Sequence, residues 1–243
     1  MNAWARLPSP AYDLTADGAA LRMTLAGAEV AFRASGALWI EAEQALVIAD
    51  LHLEKGSAYA ARGQMLPPYD TREALGRLAA EVASARPRLV VMLGDAFHDA
   101  RAGERLMAED AATIGALAQG RTLVWITGNH DPDPAEGIGG RFLSTLKLGA
   151  LTFRHEPLEN AGGEIAGHLH PVARVSRRGR AVSRRCFACD GERMVMPAFG
   201  AYAGGLNVRD RAFARVFRTL TFTAHMMGEQ RVYAVAARHC LPD

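Results

Sequence analysis

Six of the eight histidines in this 243-residue chain fall in five short blocks. The blocks are Asp50-Leu51-His52, Gly94-Asp95 followed by His98 and Asp99, Gly128-Asn129-His130-Asp131, His155 with its neighbours, and Gly167-His168-Leu169-His170. Carboxylate, amide oxygen and imidazole together are a ligand set for divalent transition metals. Without thiolate they suit Mn, Fe or Zn better than Ca or Mg, and manganese is the first expectation. Each block alone has an ordinary explanation, an Asp-x-His as a hydrogen-bonded pair or a Gly-Asp as a turn. Their ordered recurrence, with glycine where a chain must turn sharply, points to one shared metal centre.

Such a centre needs a scaffold that brings five distant blocks together. Ala45–Ala49, Leu89–Leu93 and Leu123–Ile126 are continuous apolar runs of strand length, as expected of strands buried on both faces. Each is followed by one of the first three blocks, and ligands in open α/β sheets gather at the carboxyl ends of strands. The i, i+2 spacing of Asp50 and His52 aims both side chains the same way if the strand persists. Between the runs, apolar residues at Leu75, Leu78 and Val82, and at Leu106, Ile114 and Leu117, predict helices, giving βαβ units. The alternating segments around Leu21, Val30 and Leu38 predict short antiparallel strands before them. From Leu151 onward the texture is again strand-like, at 151–153, 164–166, 172–175, 194–196 and 232–235, which predicts a second sheet. Gly200–Gly205 and the segment around 223–230 read as loops.

Composition sets outer limits. Half the chain is hydrophobic (49%) and 22% is charged, so disordered and fibrous classes are excluded and a sizeable core is expected. No linker or repeat divides the sequence, so residues 1–243 are expected to form a single domain. The N-terminus lacks an apolar core of signal-peptide length and no run is long enough to span a bilayer. Cys186, Cys189 and Cys240 are too few for a disulfide framework. A cytoplasmic protein without membrane association is the expectation. Net charge is only +2, and Lys55 and Lys147 are the only lysines in an arginine-rich chain.

The ordered series Asp50-x-His52, Gly94-Asp95-x-x-His98, Gly128-Asn129-His130-Asp131, His155 and Gly167-His168-x-His170 resembles the calcineurin-like metallophosphoesterase superfamily, over roughly residues 45–205. That resemblance implies an α/β fold, a four-layer α/β/β/α sandwich of two mixed β-sheets flanked by helices. It implies two divalent metals, one held by Asp50, His52 and His170, the other by Asn129, His155 and His168, with Asp95 bridging. His130 would be the catalytic histidine outside the ligand set. Two such ions clamp a phosphate and acidify water for in-line attack. Many phosphatases of the superfamily carry Asp three residues after the bridging Asp. His98 there is similar to the double-strand-break repair nucleases, where a histidine assists the catalytic one; alternatively, His98 is a solvated loop residue and Asp99 does the supporting.

Ala49-Asp-Leu-His-Leu-Glu-Lys-Gly56 with Pro67-Pro-Tyr-Asp-Thr71, Gly167-His-Leu-His-Pro171 and Met196–Leu206 further resemble the bacterial ligase-associated DNA-damage-response phosphoesterases of the PdeM type. This resemblance implies a phosphodiesterase or endonuclease on nucleic acid in DNA repair, associated with a DNA ligase or helicase. Two alternatives stand beside it, a phosphomonoesterase or nucleotide hydrolase on the same site, and a non-catalytic metal-bound scaffold. Arg174, Arg177 and Arg178, with Arg180, Arg184 and Arg185, form a strip after the last block. It reads either as a phosphate-binding surface or as a solvated hairpin. Cys186-x-x-Cys189 has half a zinc-ribbon spacing, but residues three apart on a strand face opposite sides, so core positions are expected. Leu53-Glu54-Lys55 and the chain through Tyr59 and Arg62 are expected to overhang the site.

Overall fold

The computed structural model describes residues 13–14, 20–131, 138–218 and 220–243. The N-terminal stretch expected to lack a leader's apolar core lies outside them. Strands β1 (Asp13–Leu14), β2 (Ala20–Leu25), β3 (Ala28–Arg33), β4 (Leu38–Ile40), β5 (Ala45–Ala49), β6 (Leu89–Leu93), β7 (Thr122–Ile126) and β8 (Arg141–Leu143) form the first sheet in sequence order. Pairing is antiparallel from β1 to β5 and parallel from β5 to β8. The second sheet contains β9 (Thr145–Leu148), β10 (Leu151–Arg154), β11 (Glu164–Ala166), β12 (Pro171–Arg177), β13 (Arg180–Cys189), β14 (Met194–Val195), β15 (Leu206–Asn207), β16 (Thr223–Met227) and β17 (Val232–Ala236). Its order is β15-β12-β13-β14-β11-β10-β9, with β16 pairing to β13 and β17. It too is mixed, since β10, β11 and β14 run parallel while β12, β13 and β16 pair antiparallel.

Period-2 alternation explains the layers. In β5, Leu46 and Ile48 face helices α2 (Asp70–Ala85) and α4 (Ala108–Ala118), packing with Leu75, Leu78, Val82, Ile114 and Leu117. Ala45, Val47 and Ala49 face the other way, into a core shared with Phe153, Ile165, Phe187 and Met194 of the second sheet. The second sheet's outer face, with Cys186, Ala188 and Ala224, packs on Phe213, Val216 and Phe217 of α5 (Arg211–Phe217). Helix, sheet, sheet, helix is therefore the layer order, as expected. Cys189 faces the inter-sheet core, whereas Cys186 joins Cys240 on the opposite face, so the three thiols occupy core positions.

Three local expectations need correction. The segment expected as a loop around 223–230 forms strand β16 over Thr223–Met227. Ala224 and Met226 pack beneath α5 while His225 lies tilted against the Phe32 ring, and an interior histidine hides the alternation. The helical stretch expected from Leu106 starts at Ala108 as α4, because Leu106 and Met107 are extended, and a separate short helix α3 (Ala102–Arg105) precedes it. Strand β5 ends at Ala49, so Asp50 and His52 do not share a face through strand periodicity. A short helix the sequence did not announce, α1 (Lys55–Ala60), follows them. Among the described residues no helix is long and apolar enough to cross a membrane.

Candidate metal centre

The first three blocks leave the carboxyl ends of β5, β6 and β7, and the last two leave β10 and β11 and enter β12. Asp50, His52, Asp95, His168 and His170 all hold φ between 44° and 67°, the left-handed region. Asp and His tolerate this better than most side chains, yet each such residue costs about 1–3 kcal/mol and persists only where its surroundings impose it. Here they do. The backbone N–H groups of Asp50, His52 and Leu53 donate to the carbonyls of Gly94, Asp95 and Ala96, and Gly200 N–H donates to the Asp50 carbonyl. Leu51 and Leu53 are buried in the helix-side core, so Asp50 and His52 are turned together toward the opposite side. Alternating left-handed residues replace strand periodicity.

Close approach needs glycine at two strand ends. A Cβ on Gly94 would lie 2.1 Å from Nδ1 of His155, and one on Gly128 would lie 2.1 Å from Oδ1 of Asp95. The ligand side chains occupy the space that a larger residue would fill.

All seven expected ligands are brought together, and they fall into two sets that meet at Asp95. In one set, Nε2 of His170 is 3.4 Å from Oδ1 of Asp50 and 3.3 Å from Nε2 of His52. In the other, Asn129 Oδ1 lies 2.8 Å from His155 Nε2 and 3.0 Å from His168 Nδ1. Oδ2 of Asp95 is 3.9 Å from His52 Nε2 and 3.3 Å from His155 Nε2. Asp50 and Asp95 are almost wholly buried, at 0% and 2% exposure, where two carboxylates without a cation would be costly. The His52–His170 and His155–His168 nitrogens face each other at 3.3 and 3.2 Å. Between two neutral imidazoles at this distance at least one of the facing nitrogens carries a lone pair, the kind of donor a cation uses. The donor set therefore fits divalent transition metal.

Electrostatics agree. Burial pushes the His52 imidazole down to about 3, so its ring is neutral and its lone pair available. Burial also tends to raise the Asp95 carboxyl, but the hydrogen bond and charge of His155, with the His130 backbone N–H, outweigh it and hold it at about 2. Burial lowers the His168 and His98 rings as well. His155 alone among these rings is raised: burial opposes its charge, but Asp95 and Asp50 prevail. The field that attracts a proton there attracts a metal equally.

His130 stands at the mouth, its side chain 41% exposed and its Nε2 4.0 Å from Asp95 Oδ2. Its Nδ1 donates to the His98 carbonyl at 2.9 Å, and the two rings stack with centroids 5.3 Å apart. His52, His98 and His130 also come close enough to form a three-nitrogen group. That group competes for His52, whose Nε2 already faces His170. Asp99 is taken by a two-point ion pair with Arg105, at 2.9 Å to each oxygen.

Asp131 is a residue whose role the sequence did not disclose. Its oxygens accept the N–H groups of Gly128 and Phe97, both at 3.1 Å, which ties the loop after β7 to the loop after β6. Arg185 is another. Instead of joining an exposed strip, it donates to the carbonyls of Ala198, Ala201 and Ala203 and so holds the loop ahead of Gly204 and Gly205. Arg174 donates to the Pro242 carbonyl. Arg177 and Arg178 are exposed at the turn of the β12–β13 hairpin, six residues beyond Pro171 and so roughly 20 Å along the strand from His170. The fold does not gather them with the metal ligands.

A cleft of about 360 Å³ adjoins the centre, lined by His52, Asp95, Asn129, His130 and His168 together with Lys55, Gly204 and Gly205. The calcineurin-like phosphoesterase family profile matches residues 44–182, more than half of the chain. Among solved structures, the Pseudomonas putida nuclease MPE is similar over 89% of this chain and 100% of its own, with 23% identity and a TM-score of 0.68. The phosphoesterase Yfce from E. coli aligns over 79% of this chain and 98% of its own, with 14% identity and a TM-score of 0.41. No curated protein sequence matches the chain significantly. The five ligand blocks, the sandwich that converges them and the matched profile together place this chain in the calcineurin-like phosphoesterase family.

Proposed function

We propose that this protein is a two-metal phosphodiesterase that cleaves nucleic acid, DNA in a repair setting, in the cytoplasm. The observation that carries the two-metal reading is Asp95, whose single oxygen Oδ2 lies between His52 of one donor set and His155 of the other. Asp50, His52 and His170 would hold one ion, Asn129, His155 and His168 the second, and manganese suits this mixture of oxygen and imidazole donors. When bound, such a pair supplies Lewis-acid activation of the phosphate and of the attacking water.

The chain's own groups do the rest. With its Nδ1 proton committed to the His98 carbonyl, His130 presents Nε2 to the cleft, where its protonated form donates to the departing oxygen. His98 stacks on that ring and supplies the carbonyl that fixes its tautomer. Among the described residues that line the cleft the cationic side chains are Lys55 and the histidines, with no arginine fork to grip a dianionic terminal phosphate, which supports a diester over a monoester. The named activity of the Pseudomonas putida nuclease, whose fold this chain shares, supports a nucleic-acid substrate. Exposed Arg177 and Arg178 would meet phosphates well away from the reacting one. Association with a DNA ligase or helicase follows from the PdeM-type resemblance.

The test compares a chromogenic diester, a chromogenic monoester, nucleotides, and single- and double-stranded DNA, with chelated protein and after adding Mn. Metal-dependent cleavage of diesters and DNA is expected. Strong preference for the monoester would overturn the diesterase reading, and DNA binding without hydrolysis of any ester would favour a scaffold.

A further inference from the structure

We propose that Lys55 is a substrate-contact residue that pairs with a backbone phosphate next to the one being cleaved. Its place in the structure is not explained by an ion pair or by helix formation. Lys55 is half-buried in the cleft lining, while Lys147, the other lysine, is exposed on β9. It opens α1, and the first position of a helix is where a cation is least favoured, so helix formation does not explain it.

The acids around it are all engaged elsewhere. Glu54 takes the hydroxyls of Ser57 at 2.6 Å and Thr71 at 2.9 Å. Asp70 accepts the Gly56 N–H at 3.0 Å, and Asp99 is paired to Arg105. Among the described residues no carboxylate forms an ion pair with Lys55, and its ammonium lies 5.9 Å from the Tyr59 ring centroid, a weak cation–π contact that is no substitute for an anionic partner. Such an ammonium in the lining of a phosphate-directed cleft takes an anionic oxygen as its partner.

The same contacts that consume the acids fix the backbone beneath the lysine. Glu54 is left-handed at φ 64° and buried, its N–H donates to Thr71 Oγ1, and Arg105 joins Ser57 to Asp99. Helix α1 is thereby held to α2 and to the His98 loop. Lys55 thus presents its charge from a rigid base and loses little freedom except in its own stem on binding. The reacting phosphate is already served by the ligand cluster and His130, which leaves Lys55 for the neighbouring linkage.

This inference rests on the nucleic-acid reading but is tested by binding, apart from turnover. The probe is a fluorescein-labelled single-stranded oligonucleotide followed by anisotropy over a range of salt, with Lys55→Met, Lys55→Arg and Lys147→Met as variants. Lys55→Met is expected to weaken binding about tenfold and to reduce the salt slope by about 0.7, the share of one phosphate contact. Lys55→Arg should keep most of the affinity, and Lys147→Met should match wild type. Equal affinity and slope for Lys55→Met and wild type would overturn the proposal, as would a wild type that binds no oligonucleotide. A wild type that binds but hydrolyses no diester would overturn the proposed activity alone, and the slopes would still decide the role of Lys55.

Discussion

Nδ1 of His130 donates to the backbone carbonyl of His98 at 2.9 Å. A carbonyl only accepts, so this contact assigns the tautomer of His130 and directs Nε2 toward the cleft. His130→Ala is expected to lower kcat by roughly 10²- to 10⁴-fold, the usual worth of a general acid, with metal content unchanged. His98→Ala keeps the carbonyl and removes only the stacked ring, so its loss should be clearly smaller. Steady-state kinetics with metal analysis on both variants checks this, and lost metal in His130→Ala would contradict its placement outside the ligand set.

Gly94→Ala tests whether the strand end is shaped by its ligand. Its φ is +74° and the added Cβ would lie 2.1 Å from His155 Nδ1. His155 must swing away, so the variant should retain less metal per chain and melt several degrees lower. Full metal occupancy would show that the loop yields instead.

Acid should destabilise the fold through His225, which is outside the expected ligand set. Burial between the sheets lowers its ring to about 3 from 6.5. Between those values the unfolded chain takes up a proton that the folded chain refuses, so stability is full above pH 6.5 and declines as pH falls. The slope for one such group is about 1.4 kcal/mol per pH unit. Urea unfolding of metal-free wild type and His225→Leu from pH 7.5 to 5 should show a flatter profile in the variant. Parallel profiles would count against it.

Arg193→Met should be strongly destabilising although Arg193 touches no ligand. Its guanidinium is buried, donates to the Val216 carbonyl at 2.6 Å, and pairs with buried Glu164, which also meets Arg154 at 3.1 Å and the Leu158 N–H at 3.0 Å. Removing one partner leaves Glu164 short of charge compensation, a loss of about 3–5 kcal/mol. Equilibrium unfolding in urea measures it; a change below 1 kcal/mol would mean that Arg154 suffices.

Much of this was legible locally. Three apolar runs named the parallel strands because a strand buried on both faces has no polar position, and the candidate ligand blocks stood out because six of the eight histidines recur in them, three of the blocks at the ends of those runs. Cys186 and Cys189 were separable by strand period alone.

What tertiary structure decided is everything that depends on which distant group comes to meet a residue. Residue type could not say that Arg185 is spent on three carbonyls of the loop before Gly204 while Arg177 stays exposed, since a guanidinium is satisfied equally by backbone or by phosphate. It could not place His225 inside a strand, because a buried neutral histidine looks like a loop residue until its packing is known. The left-handed turns at Asp50, His52, Asp95, His168 and His170 are strained locally and hold only through hydrogen bonds from other loops. The sequence by itself determined the candidate ligands and the strands that precede them; the tertiary structure decided that they converge beside one cleft, and that among the described residues Lys55 on its lining has no carboxylate in ion-pair reach.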